Sequence, residues 1–249
     1  MGGLMGTELV FTATYCEEEN IEAWVRGVHT HRPDADILVV DDSSPDETGA
    51  ILQRLQGEIP RLQIHTRPGK LGLSSAHLYA IDRGLAGRYD RLVTMDADGS
   101  HQPSQIARLI EASATADFVI GTRYRGGSHQ AAHFRRFLSL GANKAARRLL
   151  PMGLSEYTTS FRVFTPTALT SISNASFEGG GYAFFIECLE VMHNDGLVLA
   201  EAPIDFLDRT GGKSKIPRTQ ILLSAKALFH LSRQRRHGPA VASGRGDSS

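Results

Sequence analysis

Leu92-Val93-Thr94-Met95-Asp96-Ala97-Asp98 joins an apolar run to two carboxylates. The first four residues predict a buried strand, and side-chain alternation along an extended chain places Asp96 and Asp98 on the same side. Two such carboxylates repel each other, and their oxygen atoms suit Mg²⁺ or Mn²⁺ with water and phosphate as further ligands. The pair therefore predicts a divalent cation and a phosphate ester such as a nucleoside diphosphate derivative. A solvated turn with two surface acids is the alternative.

Strand and helix patterns alternate on both sides of this stretch. Apolar runs predict strands at residues 9–12, 37–40, 62–65, 92–95 and 118–120, and helical periodicity begins near residues 21, 48, 74 and 103. Repeated units of this length predict an α/β fold with parallel strands and right-handed crossovers. In such sheets ligands bind at the carboxyl ends of the strands. The acidic segments Glu17–Glu19, Asp41–Asp42 and Asp96–Asp98 all follow strands, so we expect them at one edge.

The second half of the chain is less regular. We predict a basic helix over residues 134–149, a helix over 182–193, one or two short strands within 197–207, and an amphipathic helix over 221–229. The sequence has no internal repeat and no convincing linker. The simplest organisation is a single domain over residues 1–232, followed by a basic and then disordered tail over 233–249.

The charge of the chain is balanced overall but uneven locally. The 249 residues have a formal net charge of zero and 41% hydrophobic content, which is ordinary for a soluble protein and gives no indication of nucleic acid binding. Between Phe118 and Ser155 there is no acid, which predicts an anion-binding surface, with a solvated helix face as the alternative. The bases of this stretch are Arg123, Arg125, Arg135, Arg136, Lys144, Arg147 and Arg148.

Cysteine usage and hydropathy indicate the compartment. Cys16 and Cys188 are isolated from each other in sequence, which argues against a disulfide framework and a zinc site and favours a reducing compartment. No secretory signal is recognisable at the start of the sequence. No stretch reaches the roughly 18 consecutive apolar residues of a membrane-spanning helix.

Several segments together resemble one known family. In chain order they are residues 39–46 (VVDDSSPD), 67–73 (RPGKLGL), 95–101 (MDADGSH), 121–124 (GTRY), 181–184 (GYAF) and 203–206 (PIDF), with Asp208 and Arg209. This ordered set resembles the dolichol-phosphate (polyprenol-phosphate) mannose synthases from about residue 10 to residue 231. The resemblance implies an inverting glycosyltransferase of the GT-A fold, with a Rossmann-like, mostly parallel sheet flanked by helices and acceptor-side helices near the C-terminus.

The resemblance also implies a reaction. It predicts transfer of a sugar, most simply mannose from GDP-mannose, to a polyprenyl monophosphate. Asp96 and Asp98 would hold Mg²⁺ or Mn²⁺, with Ser100 as a further ligand, and Asp98 and Arg123 would be the catalytic residues. A phosphate monoester is mostly dianionic near neutral pH, because its second pKa is about 6. The acceptor phosphate can therefore attack the sugar without a general base.

Substrate positions carry over from the same resemblance. Arg135 and Ser139 would bind the acceptor phosphate, and their i, i+4 spacing places them on one face of a helix. Arg123, Arg209 and Lys215 match phosphate-binding positions, which suits the bidentate geometry of Arg and the point charge of Lys. The full set of predicted nucleotide-sugar contacts is Ala13, Tyr15, Glu17, Val39, Asp41, Asp96, Ala97, Asp98, Arg123, Arg209 and Lys215.

Some positions depart from the family pattern and leave alternatives open. Ala13 stands where Pro is usual, Cys16 where Asn is usual and Gly99 where a large apolar residue is usual, and residues 159–162 (TSFR) lack the Gly expected before Phe-Arg. The donor could therefore be UDP-glucose or UDP-N-acetylglucosamine. An alternative from another class is an inactive nucleotide-binding subunit of a membrane glycosylation complex.

A lipid acceptor also bears on location. Because the chain shows no membrane-spanning segment, we expect a cytoplasmic protein that is peripheral on the cytoplasmic face of a membrane. Docking would occur either directly, through the basic and amphipathic C-terminal half, or through a membrane-anchoring partner.

Overall fold

A seven-stranded sheet forms the centre of the computed structural model, which describes residues 7–129, 143, 147, 148, 150 and 152–207. Its strands are β1 (Glu8–Thr14), β2 (Asp36–Asp41), β3 (Leu62–Thr66), β4 (Arg91–Thr94), β5 (Phe118–Thr122), β7 (Arg162–Phe164) and β8 (Leu199–Pro203). A separate two-stranded ribbon pairs β6 (Ser128–His129) with β9 (Asp205–Phe206). The order across the main sheet is β3-β2-β1-β4-β7-β5-β8.

Helices cover both faces of this sheet. They are α1 (Ile21–His31), α2 (Thr48–Glu58), α3 (Leu73–Ala86), a short 3₁₀ turn (Pro103–Gln105) leading into α4 (Ile106–Ala112), α5 (Pro166–Ser173) and α6 (Tyr182–Asn194). Alternate residues of each strand enter two different cores, as the pleat requires. One core contains Phe11, Val40 and Leu92 with residues of α3, α5 and α6, and the other contains Val10, Val39 and Val93 with residues of α1, α2 and α4. Burial on both faces explains why these strands are continuous apolar runs.

The sheet is mostly parallel, as predicted, but one strand runs the other way. β1, β2, β3 and β4 are parallel to one another, and β5 is parallel to β8. β7 lies between β4 and β5 and is antiparallel to both, with Arg162 opposite Thr94 and Ile120. The residues that precede β7 therefore lie at the edge of the sheet where β4 and β5 end. This reversal was not among the sequence predictions.

Most predicted elements are confirmed, with small shifts at their ends. β4 ends at Thr94, so Met95 lies just beyond the strand in which we predicted it. The predicted strands within residues 197–207 are β8 and β9. Helix α5 was missed although its start has clear signals: Thr165 caps it by accepting the N–H of Ala168, and Pro166 occupies the first turn.

Parts of three predictions fall outside the described residues. These are most of the helix over residues 134–149, the helix over 221–229, and the division between a domain ending at residue 232 and a tail. Both cysteines are free, as expected. Among the described residues no helix is long and apolar enough to cross a membrane.

Candidate active site

The loops after β1 and β2 meet at the carboxyl edge of the sheet, as predicted. Asp41, at the end of β2, is buried and accepts three hydrogen bonds: from the Thr14 hydroxyl at 2.8 Å, the Ser44 hydroxyl at 2.6 Å and the Ser44 N–H at 2.9 Å. Ser44 in turn accepts the N–H of Cys16 at 2.9 Å. These contacts fix one orientation for Asp41, a predicted nucleotide contact.

The first loop carries backbone strain next to Tyr15. Cys16 has a φ of 57°, in the left-handed region that costs most side chains about 1–2 kcal/mol. The backbone N–H groups of Cys16 and of the next residue are both bonded to residues that follow β2. The Cys16 N–H donates to the Ser44 hydroxyl, and the Glu17 N–H donates to the Thr48 hydroxyl at 2.9 Å. The cross-loop hydrogen bonds therefore hold a conformation that Cys does not favour. Cys16 is half-buried.

Replacing Cys16 with Asn is expected to raise the free energy of unfolding by about 0.5 kcal/mol, because Asn enters the left-handed region at lower cost. The measurement is the urea midpoint at an unchanged m-value. Arg88, with a φ of 54° just after α3, offers a matched control on the far side of the domain. A gain for Arg88→Asn together with a loss for Cys16→Asn would show that the thiol has contacts worth more than the strain.

A buried arginine ties the loop after β3 to the same edge. The Arg67 guanidinium pairs with the Asp42 carboxylate, donates to the Ser75 hydroxyl at 2.6 Å and donates to the Gly72 carbonyl at 3.0 Å. The adjacent Lys70 places its ammonium 3.9 Å from the centre of the Tyr15 ring. Arg67 therefore links the loop after β3 to Asp42, directly after the end of β2. Lys70 contacts Tyr15, which is predicted to bind the nucleotide.

Asp96 and Asp98 follow β4, and a serine hydroxyl contacts each of them. Oδ1 of Asp98 accepts the N–H of Ser100 at 3.1 Å and its hydroxyl at 2.6 Å, whereas Oδ1 of Asp96 accepts the hydroxyl of Ser160 at 2.6 Å. Asp98 is buried, and the Asp96 side chain is 41% exposed. Ser100, predicted as a further metal ligand, is buried and contacts Asp98; its role toward a metal stays a prediction.

The chemistry of this donor set fits Mg²⁺ or Mn²⁺. All the candidate ligand atoms are oxygens, and neutral serine hydroxyls do not cancel the charge of the two carboxylates. The described residues contain no group of three or more His, Cys, Asp and Glu side chains arranged for a metal. Asp96 and Asp98 would therefore supply part of a coordination shell that water and a diphosphate complete, the usual arrangement for Mg²⁺ in phosphate-binding sites.

His101 supports this segment as a neutral side chain. Its Nδ1 accepts the N–H of Asp96 at 3.0 Å, and its Nε2 lies 3.1 Å from the Thr159 hydroxyl. Burial lowers the pKa of His101, although the charges of Asp96 and Asp98 oppose the shift. The 3.8 Å approach of Nδ1 to Oδ2 of Asp96 is therefore not an ion pair.

Arg123 emerges just after β5 and is held by a buried acid. Its Nε donates to Oε2 of Glu156 at 2.9 Å, and its guanidinium carbon lies 4.4 Å from the centre of the Phe206 ring. Burial alone would raise the pKa of Glu156, but the charge of Arg123 and the hydrogen bonds from Thr158 outweigh it and leave that pKa below its ordinary value. Glu156 is thus a carboxylate that orients Arg123.

Residues 155–161, which precede the antiparallel strand β7, form what we call the support loop. Three of its side chains contact candidate site residues: Glu156 contacts Arg123, Thr159 contacts His101 and Ser160 contacts Asp96. Sequence reasoning missed these contacts. The only available signal was the departure of residues 159–162 from the family pattern.

Two bases of the acid-free stretch are also paired internally. Besides the Arg123–Glu156 pair, Arg125 lies 3.2 Å from Glu201. Both acids lie beyond residue 155 and fold back onto the stretch. These pairs orient Arg123 and Arg125, and among the other bases of the stretch the structure describes Arg147 and Arg148 as exposed.

The remaining predicted site residues are either buried to some degree or lie outside the part of the chain that the structure describes. Val39 and Ala97 are buried and Ala13 is half-buried. Arg135, Ser139, Arg209 and Lys215 lie outside the described residues. Leu207, which follows β9, donates its N–H to the carbonyl of Ser100 at 3.2 Å.

Comparison with known proteins identifies the family. Residues 9–172 match the family described as Glycosyl transferase family 2. The chain belongs to glycosyl transferase family 2. This membership confirms the predicted class of enzyme, a glycosyltransferase.

Family 2 relatives with curated names agree with the predicted resemblance. The chain is 40% identical over 228 residues to the polyprenol monophosphomannose synthase of Mycolicibacterium smegmatis, covering 90% of this chain and 85% of that protein. It is 35% identical over 210 residues to the undecaprenyl-phosphate mannosyltransferase of Micrococcus luteus, covering 84% and 86%. The resemblance to the polyprenol-phosphate mannose synthases is confirmed.

Solved structures of another enzyme agree on the fold. A glucosyl-3-phosphoglycerate synthase from Mycobacterium tuberculosis, in complex with Mn²⁺, UDP and phosphoglyceric acid, superposes with a TM-score of 0.67 at 20% identity, over 95% of this chain and 81% of that one. The same enzyme with Mn²⁺, UDP-glucose and phosphoglyceric acid gives 0.66 at 20% identity, over 92% and 80%. This likeness confirms the GT-A fold.

Proposed function

We propose that this glycosyltransferase transfers mannose from GDP-mannose to a polyprenyl monophosphate, with inversion at the sugar carbon. The observation that carries the proposal is the 40% identity, over 90% of the chain, to a protein named polyprenol monophosphomannose synthase. The second relative is also named for mannosyl transfer to a polyprenyl phosphate. The two names share the sugar and the class of acceptor.

The donor site is proposed at the carboxyl edge of the sheet. Asp41, Tyr15 and Glu17 would contact the nucleotide, and Asp96 and Asp98 would face its diphosphate. A divalent cation bound there would neutralise charge on the departing nucleoside diphosphate. Arg123, oriented by Glu156, would add a fixed positive charge. Arg209 and Lys215 are proposed as further phosphate contacts.

The support loop and His101 bear on how the acceptor reacts. Both ring nitrogens of His101 are occupied within the protein, Nδ1 by the Asp96 N–H and Nε2 by Thr159. This histidine is therefore unsuited to act as a general base. An acceptor phosphate dianion needs none, and catalysis would then rest on positioning and charge. We propose Arg135 and Ser139 as the acceptor phosphate site.

We further propose that the enzyme works as a peripheral protein on the cytoplasmic face of a membrane, where a polyprenyl phosphate would be presented. Bases near an anionic lipid surface contribute about 1 kcal/mol each. Exposed Arg147 and Arg148 belong to the stretch that would supply this attraction. A membrane-anchoring partner is the alternative means of docking.

A donor panel tests the proposed function. We expect undecaprenyl phosphate and Mg²⁺ to give organic-phase radioactivity from labelled GDP-mannose, and little from labelled UDP-glucose or UDP-N-acetylglucosamine. Reactions without acceptor provide the blank, and the anomeric carbon–hydrogen coupling of the product reports inversion. Counts from a UDP-sugar alone would identify the alternative donor. Absence of transfer from all three, despite binding of GDP, would favour an inactive nucleotide-binding subunit.

A further inference from the structure

A buried serine reaches the more exposed of the two metal carboxylates. The Ser160 hydroxyl donates to Oδ1 of Asp96 at 2.6 Å. Ser160 is 4% exposed, whereas the Asp96 side chain is 41% exposed. A short bond from a buried donor restrains a side chain as open as that of Asp96, because it favours the rotamer in which the bond forms.

The backbone beneath Ser160 is itself held at several points. The Thr94 hydroxyl donates to the Ser160 carbonyl at 2.5 Å, and the Arg162 Nε donates to the Thr159 carbonyl at 2.8 Å. Arg162 also stands opposite Thr94 in the β4–β7 ladder. The serine hydroxyl is thus presented from a segment anchored to β4, and Asp96 lies two residues beyond the end of that strand.

The neighbouring carboxylate is restrained by a different device. Asp98 receives its hydroxyl and N–H bonds from Ser100, two residues along the same turn. Asp96 receives its bond from a residue 64 positions later in the chain. The second arrangement makes the orientation of a candidate metal ligand depend on the support loop.

We infer that Ser160 is a positioning residue that fixes the Asp96 carboxylate for a divalent cation. The inference rests on the metal site of the proposed function. Hydrogen-bond partners of metal ligands orient those ligands, and removing one such partner typically weakens metal affinity about 10- to 100-fold.

The test compares the Mn²⁺ affinity of three proteins: Ser160→Ala, Ser171→Ala and wild type. Ser171 donates to Oδ2 of Asp195 at 2.6 Å, which makes it a matched serine–aspartate bond remote from the candidate site. Mn²⁺ binding in the presence of GDP is measured from the loss of the free-ion electron paramagnetic resonance signal. We expect the dissociation constant for Mn²⁺ to rise about 10-fold or more for Ser160→Ala. It should stay unchanged for Ser171→Ala.

Two further measurements separate the possible failures. GDP affinity in EDTA should be the same for Ser160→Ala and wild type, and a parallel loss there would overturn the inference by showing a collapsed donor pocket. Ser160→Ala that binds Mn²⁺ as tightly as wild type would overturn the role of Ser160 alone. Wild-type protein that takes up no Mn²⁺ would overturn the metal site and, with it, this inference.

Discussion

Asp98→Asn is expected to lower the transfer rate by about 100-fold or more while the fold is kept. Asn keeps an oxygen that can accept the N–H and hydroxyl of Ser100, so the turn after β4 survives. The lost negative charge removes a metal ligand and with it the stabilisation of a departing diphosphate. Losing one well-placed electrostatic contact to a transition state costs about 3 kcal/mol.

The measurement is organic-phase product formation under the conditions that give the highest wild-type rate. Asp117→Asn is the matched control, because Asp117 accepts the Val198 N–H at 2.9 Å beside the amino end of β5, on the opposite edge of the sheet. Wild-type enzyme in EDTA should reproduce the loss and recover with Mg²⁺ or Mn²⁺. Full wild-type activity in EDTA would remove the metal from the mechanism.

Arg162→Met is expected to cause the largest loss of stability, about 3 kcal/mol or more. The fully buried guanidinium donates to the carbonyls of Thr159, Tyr157 and Phe185 at 2.8, 2.9 and 3.0 Å. Burial lowers the pKa of Arg162 to about 10, so the group stays charged at neutral pH. Each buried carbonyl that loses its donor costs about 1–3 kcal/mol, partly offset because a cation no longer has to be desolvated.

For a chain of this size such a loss lowers the melting temperature by roughly 6–12 °C. Arg26→Met is the control. Arg26 lies on the exposed surface of α1 and pairs with Glu22 of the same helix and with Glu58 of α2, so its replacement should change the free energy of unfolding little. Equal melting temperatures for the two variants would contradict the structural role of Arg162. At temperatures at which Arg162→Met is still folded, its transfer activity should also be lower than that of wild type, because Arg162 holds two carbonyls of the support loop.

The fold could be predicted from the sequence where the local pattern is strong. Continuous apolar runs such as Ile37–Val40 identify strands buried on both faces, and the acidic segments after them identify the carboxyl edge. β7 could not be found in this way. It has three residues, lies in an irregular region, and owes its direction to long-range pairing with β4 and β5.

The residues of the candidate site likewise divide into those with a local sequence signal and those placed by long-range contacts. Asp41, Asp96 and Asp98 carry a local signal, because Asp41 and Asp96 each follow an apolar run directly and Asp98 comes two residues after Asp96. Glu156 and Ser160 carry none, since their partners Arg123 and Asp96 are 33 and 64 positions away. Arg67 carries no local signal of burial either: the structure shows that its guanidinium is buried against Asp42, 25 positions earlier in the chain.

The central place of β7 has a consequence for how the protein is made. Among the described strands, β4 and β5 touch only through β7, and β5 has no partner earlier in the chain. At a synthesis rate of roughly 5–20 residues per second, Phe118–Thr122 would wait for seconds as an unpaired apolar strand. During that interval the nascent chain resembles an exposed sheet edge, which invites chaperone binding or aggregation. A chain truncated in this window would carry Asp96 and Arg123 without Ser160 and Glu156, the residues that contact them.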